Sequence, residues 1–158
     1  MRVRAVAIPE SDKAALFSDL QHYLRELMQY GTFSPVNGTF PYRRPDAYWG
    51  SPDRWPFWAE ANHRNAGFAL VRRRDDGCME MAEFYIHPAH RRSGVGLAFA
   101  RSLLGMFSGT WIISEYRANV AAVAFWRRVV APFPFAEREY EGDEHVPRLE
   151  QKVTVPAS

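Results

Sequence analysis

Residues 79–107 read MEMAEFYIHPAHRRSGVGLAFARSLLGMF, and the fold turns on how this stretch divides. Met79 to His87 mixes apolar and aromatic residues in the manner of a strand, and Pro88 ends it. A basic turn with glycines at 94 and 96 follows. A helix is then predicted from Val95 to Phe107, with Leu97, Ala100, Leu104 and Phe107 as its buried stripe. Glycines between strand and helix permit a tight reversal and let a ligand reach the backbone. The N–H groups of such a turn, and of the helix's first turn, have no partner within the helix, so together they form an anion site. Arg91 and Arg92 place charge beside it. A phosphate or pyrophosphate is the natural occupant. Two phosphate-binding patterns are excluded by spacing. No Gly-Lys-Ser/Thr run is present, and Phe99 stands where a dinucleotide fingerprint needs its third glycine or alanine.

Working outward, Arg54–Asn62 and Gly67–Arg73 read as two further strands joined by a turn at His63-Arg64-Asn65. A second turn at Asp75-Asp76-Gly77 leads into the strand at 79–87, giving an antiparallel meander. Upstream, Val3, Ala5 and Ala7 mark a first strand. Ser11 is placed to cap a helix from Asp12 to Tyr30, with Leu16, Leu20, Tyr23 and Leu27 on its core face. Prolines at 35, 41, 45 and 52 forbid a long helix from 31 to 53, where Phe33, Phe40, Tyr42, Tyr48 and Trp49 are concentrated. A helical turn is expected near 45–49. Downstream, Thr110–Ser114 has the continuous apolar character of a strand buried on both faces. Ala118–Val130 is predicted helical with Ala118, Ala122, Phe125 and Val129 on one side. Residues 133–140 and 146–155 form a closing hairpin around Gly142. One α/β domain over 1–158 is expected, with strands on both sides of the central strand-turn-helix unit.

Composition fits this reading. The 158 residues are 47% hydrophobic and 15% aromatic, enough for a packed core. Cys78 is the single cysteine, so neither an internal disulfide nor a cysteine-based zinc site is available. His87 and His90 flank Pro88 without further ligands nearby, so no metal is expected. Charged Arg2 and Arg4 interrupt the only apolar start, and no run reaches the roughly 20 residues of a membrane span; a cytoplasmic protein with no membrane association is expected. The formal charge is only +2, although 18 of the 20 basic residues are arginine, and no basic stripe interleaved with aromatics points to nucleic acid.

The stretch Glu83-Phe84-Tyr85-Ile86-His87-Pro88-Ala89-His90-Arg91-Arg92-Ser93-Gly94-Val95-Gly96 resembles the core signature of the GNAT acetyltransferase superfamily. There an apolar strand ending in Pro precedes Arg/Gln-x-x-Gly-x-Gly/Ala and a helix. Asn119-x-x-Ala122-x-x-Phe125 resembles the family's second signature, Asn-x-x-Ala-x-x-Phe-Tyr, at the expected distance downstream. The resemblance covers 66–130 well and the first 60 residues in outline. It implies a central mixed, mostly antiparallel sheet flanked by helices, with a splayed parallel strand pair at the coenzyme site. It also implies transfer of acetyl from acetyl-CoA, as cosubstrate, to a primary amine by direct attack, and it allows a homodimer.

By the same resemblance, the N–H groups of Arg92, Ser93, Gly94, Val95, Gly96 and Leu97, with Arg91 beside them, hold the pyrophosphate. Phe84, Tyr85 and Ile86 pair through their backbone with the pantetheine arm, and an N–H near Tyr85–Ile86 serves as an oxyanion donor. Asn119, Phe125 and Trp126 contact the arm. Glu83 is the leading general base, with Glu80, Glu115 and His87 behind it. Trp126 stands where the family often has a tyrosine general acid, and an indole N–H does not release its proton near neutral pH. The general acid stays open among solvent, Tyr85 and Tyr116. Tyr42, Tyr48, Trp49, Trp55 and Trp58 are candidates for the acceptor wall, with Asp46, Asp53 and Glu60 as ammonium anchors. The competing reading is a coenzyme A-binding sensor or partner protein without turnover.

Overall fold

The strands β2 (Arg54–Ala61) and β3 (Arg64–Arg73) owe their alignment to a turn of two residues, and β1 (Val3–Ala7) pairs antiparallel along the other edge of β2. Asn62 and His63 both adopt positive φ, 51° and 67°, and Ala61 pairs directly with Arg64. This is the tight hairpin whose twist matches its flanking strands. The turn expected at His63-Arg64-Asn65 therefore lies one residue earlier, because no glycine marks its left-handed positions. The computed structural model describes residues 1–158. Its remaining elements are α1 (Lys13–Leu27), a short α2 (Ala47–Gly50), β4 (Met79–Ile86), α3 (Val95–Met106), β5 (Gly109–Tyr116), α4 (Val120–Val130), β6 (Phe135–Glu141) and β7 (Pro147–Val155).

One seven-stranded sheet runs in the order β1-β2-β3-β4-β5-β7-β6, and only β4 and β5 pair in parallel. That parallel pairing is limited to Met79–Trp111 and Glu80–Ile112. Beyond them the strands separate, and the C-terminal half of β4 presents an unpaired edge to an open seam. A bulge precedes the seam: Leu70 pairs with Glu83 but Val71 with Met81, which leaves Ala82 unmatched. The extra residue exchanges the faces. Met79 and Met81, then Phe84 and Ile86, pack with α3 and α4, while Ala82 and Tyr85 face α1.

Two cores result. The larger lies between the sheet and the α3/α4 layer, built on Phe99, Leu103, Leu104, Trp111, Ile113, Val129 and Val130. The smaller, under α1 and the aromatic loop, contains Leu16, Leu20, Leu24, Phe40, Tyr48, Phe68 and Tyr85. Both α1 and α3 lie slightly rotated from the expected stripes. Leu24 rather than Leu27 completes the buried face of α1, and Phe99 and Leu103 join that of α3. Helix α4 is rotated as well, burying Val123, Trp126, Val129 and Val130. Ser11 does not cap α1. A 3₁₀ turn at Glu10–Asp12 leads into the helix, and Asp12 accepts the Trp58 indole N–H at 3.1 Å. No helix is long and apolar enough to cross a membrane.

Candidate functional site

The turn before α3 has the geometry its sequence demands. Arg92 and Gly94 both take left-handed conformations, φ 59° and 84°, with Gly94 at the N-cap. Such alternation gathers successive N–H groups into a concave nest. Arg91 N–H bonds to the Pro88 carbonyl, and Ala98 N–H closes the first helical bond to Gly94. Between them, the six N–H groups of Arg92 to Leu97 meet no protein acceptor. Arg92, Ser93 and Gly94 are exposed, so this donor array faces solvent. A Cβ at Gly96 would come within 3.2 Å of the Phe125 ring and 3.4 Å of Ile86, so glycine is what lets α3 seat against β4 and α4.

Arg91 is turned away from this nest. Its Nε donates to the Ile86 carbonyl at 2.8 Å, its Nη2 grips both carboxylate oxygens of Glu26 at 3.0 and 2.7 Å, and its guanidinium covers the Tyr85 ring. The charge expected from Arg91 at the anion site is spent on joining α1 to the end of β4. A second clasp lies two helical turns earlier, where Asp19 meets His87 at 2.7 Å.

The open edge of β4 leads from the nest into the seam. His87 N–H bonds to Ala66 on the β3 side, so strand alternation directs the backbone of Ile86 and Phe84 toward the seam. Phe84 lies among Phe99, Phe125 and Trp126, with ring centroids 5.4, 5.5 and 4.9 Å away. Trp126 is buried beneath the seam, packed on Phe84 and Phe125. Asn119 caps α4, its side-chain oxygen accepting Ala122 N–H at 3.2 Å, which leaves its amide hydrogens free as donors.

On the opposite face, toward α1, the seam is flanked by Glu83. As a residue it is half-buried, but its Oε2 is sealed from solvent and has no hydrogen-bond partner. Burial pushes the carboxyl up to about 8, opposed by Arg148, reinforced by Glu80 and opposed again by the Tyr23 hydroxyl. The tyrosines Tyr23, Tyr42 and Tyr48 surround it, all held protonated chiefly by burial and next by the charge of Glu83; Tyr48 is raised to about 12. Tyr85 faces α1 as well, stacked edge-on against Tyr23, and burial raises it above the usual phenol range. Across the seam, Ser114 and Tyr116 of β5 and Arg148 of β7 complete the wall. Arg148 donates to Ser114 Oγ at 3.0 Å and lies over the Tyr116 ring. The Tyr116 hydroxyl bonds to Glu144, which also receives Thr32 N–H at 2.8 Å, so the β6–β7 loop is fastened to the end of α1.

Of the expected acceptor wall, Tyr42 and Tyr48 are brought near Glu83, while Trp55 packs on Phe107 at the edge of the larger core. The Trp49 indole donates to the Ile8 carbonyl and the Trp58 indole to Asp12, so both serve the scaffold of α1. The expected ammonium anchors are paired: Asp46 with Lys13, Asp53 with Arg73 and Glu60 with Arg4. Glu115, a secondary base candidate, faces the α3/α4 core instead, where Gln151 donates to it. Arg148, Tyr23 and Glu144 were not anticipated. An arginine in a hairpin and a tyrosine on a helix carry no motif, and only the fold brings them to Glu83.

A model of the Acetyltransferase (GNAT) family matches residues 20–130. Among curated protein sequences none matches the chain. Among solved structures, the aminoglycoside acetyltransferase AAC(6')-Ib in complex with coenzyme A is similar at a TM-score of 0.71 and 14% identity, covering 97% of this chain and 95% of its own. The ribosomal-protein-S18-alanine N-acetyltransferase from Escherichia coli gives 0.61 and 16%, covering 99% and 96%. A variant of the spermidine N-acetyltransferase SpeG from Vibrio cholerae gives 0.67 and 14%, covering 98% and 95%. At these identities the likeness is one of fold.

Proposed function

The chain belongs to the GNAT acetyltransferase family, and from that premise we propose that it works as a single domain transferring acetyl from acetyl-CoA to a primary amine by direct attack. The observation that carries the proposal is the run of six N–H groups from Arg92 to Leu97, without protein acceptors and continuous with the open edge of β4. The nest holds the pyrophosphate with these donors and the partial positive charge of the α3 N-terminus. The backbone of Phe84 and Ile86 pairs with the pantetheine arm, Asn119 donates its amide to it, and Phe125 packs along it. Acetyl-CoA supplies an activated thioester at the seam.

The chain's own residues do the rest. Glu83 accepts a proton from the incoming ammonium, which frees the nitrogen lone pair. The Ile86 N–H is aimed at the seam to stabilise negative charge on the carbonyl oxygen. Trp126 contributes no proton; its indole shapes the seam against Phe84. A thiol pKa of about 8.5 makes coenzyme A a tolerable leaving group without an acid. Tyr116 is an unsuitable acid because burial and its bond to Glu144 raise it well above the usual range. Tyr85 adds its backbone rather than its phenol. A cytoplasmic setting is part of the proposal, supported by the lone Cys78, which has no disulfide partner.

Trp126 favours a second reading, binding of coenzyme A without turnover. Thiol release from acetyl-CoA, followed over a panel of primary amines with wild type and E83Q side by side, separates the two. Turnover by wild type that E83Q loses supports transfer. Coenzyme binding without turnover on any amine supports the second reading.

A further inference from the structure

The acceptor side of the seam carries opposite charges on its two banks. Glu83 projects from β4, and Arg148 projects from β7, reaching over β5 to Ser114. Arg148 has no carboxylate within ion-pair distance; Ser114 Oγ takes its Nε, and the Tyr116 ring lies 4.3 Å beneath its guanidinium carbon. Gly142 lies against its aliphatic stem, so the side chain is held in place from both sides. A stacked, immobilised guanidinium keeps its forked N–H groups free for a planar anion. Glu144, the nearest loop carboxylate, is occupied by Tyr116 and Thr32.

The other carboxylates around the site are also taken. Asp19 binds His87, Glu26 binds Arg91 and Glu80 binds Arg72. An acceptor with several ammonium groups would find Glu83 for one of them and no free partner for the others. It would also meet the positive charge of Arg148. An acceptor bearing one ammonium and one carboxylate matches both banks.

We propose that Arg148 binds a carboxylate on the acceptor, and that the acceptor is a small zwitterionic amine of the amino-acid class whose amino group lies at Glu83. This inference rests on Glu83 as the residue that deprotonates the amine. The tyrosines at 23, 42 and 48 then receive the side chain of that amino acid. A site built to pair a buried charge discriminates strongly against an analogue lacking it, because the site's own group is left unpaired.

The test is thiol release from acetyl-CoA with matched pairs: natural α-amino acids, β-alanine and γ-aminobutyrate, each beside the amine that lacks its carboxylate. The expected result is that at least one carboxylate-bearing member is acetylated with a kcat/KM about 10- to 100-fold above its partner. Arg148→Met abolishes that preference and Arg148→Lys restores part of it. Both variants bind acetyl-CoA like wild type, which shows that they are folded. Failure to acetylate any carboxylate-bearing member overturns the inference, whatever else is acetylated. Equal loss of both members of a pair in Arg148→Met overturns it too, since Arg148 would then act only on the charge of Glu83. If acetyl-CoA binds and amines without a carboxylate turn over, the proposed transfer stands while this inference falls. Absence of coenzyme binding would bring down both.

Discussion

A carboxyl group sealed among tyrosines ionises late, and burial holds Glu83 up to about 8. As the proposed base it works only when ionised, so kcat/KM on a saturating-donor assay is expected to rise with pH through about 8 and level above it. E83Q removes that limb and lowers kcat by roughly 10²-fold or more; a profile that stays flat from pH 6 to 9 in wild type would contradict the assignment. Tyr23 offers a finer check. Its hydroxyl favours the ionised form of Glu83, so Y23F moves the limb to higher pH, whereas a purely structural loss would lower activity equally at every pH. These assignments were legible to different depths. Glu83 stands beside a motif and could be singled out from sequence. Tyr23 and Arg148 are separated from it by 60 and 65 positions, and only the packing of α1 and the hairpin onto the sheet brings them near.

At the scale of elements, strand-turn-helix grammar did most of the work. The helix at 95, the strand at 79 and the final hairpin lie within a residue or two of where their patterns put them. The rotations of α3 and α4 were harder to read, because a helix packed on both a sheet and another helix buries a wider arc than one stripe. In α4 this arc puts Trp126 in the core and leaves Phe125 only half-buried, toward the seam. The role of Arg91 escaped for a related reason, since its partner Glu26 belongs to a distant helix. Asn119 serves two ends at once. Its replacement by alanine removes the cap of α4, costing about 1 kcal/mol, or a few degrees of melting temperature. It also removes the amide that is proposed to meet the pantetheine arm. Asn119→Ser, which keeps a cap, is expected to recover the melting temperature but not the coenzyme affinity; recovery of both would assign Asn119 to capping alone.

The whole molecule couples its site to its stability through buried carboxyls on both faces of the sheet. Glu115 lies 5% exposed beneath α4 with Oε1 unpartnered, and burial raises it to about 7. Like Glu83, it binds its proton more tightly folded than unfolded. The stability this contributes is fully present below about 4.5, the ordinary carboxyl value, and is lost as pH rises through 7 to 8. Glu137 and Glu144, held low mainly by Arg127 and Tyr116, weigh in the opposite direction only as pH falls below that value. The melting temperature should therefore decline from pH 5 to pH 9, and E115Q should flatten the decline; an unchanged slope in E115Q would rule out Glu115 as its source. The two cores meet at the seam, and the proposed transfer depends on the donor nest at its edge holding the pyrophosphate of acetyl-CoA. The most direct measurement is the binding isotherm of acetyl-CoA to wild type and to Gly94→Glu, with a thermal melt of each. Glutamate there strains a left-handed position by roughly 1–2 kcal/mol and sets an anion beside the nest. Saturable binding by wild type that a folded Gly94→Glu loses is the predicted result. No binding by wild type, or equal affinity in the variant, would contradict it.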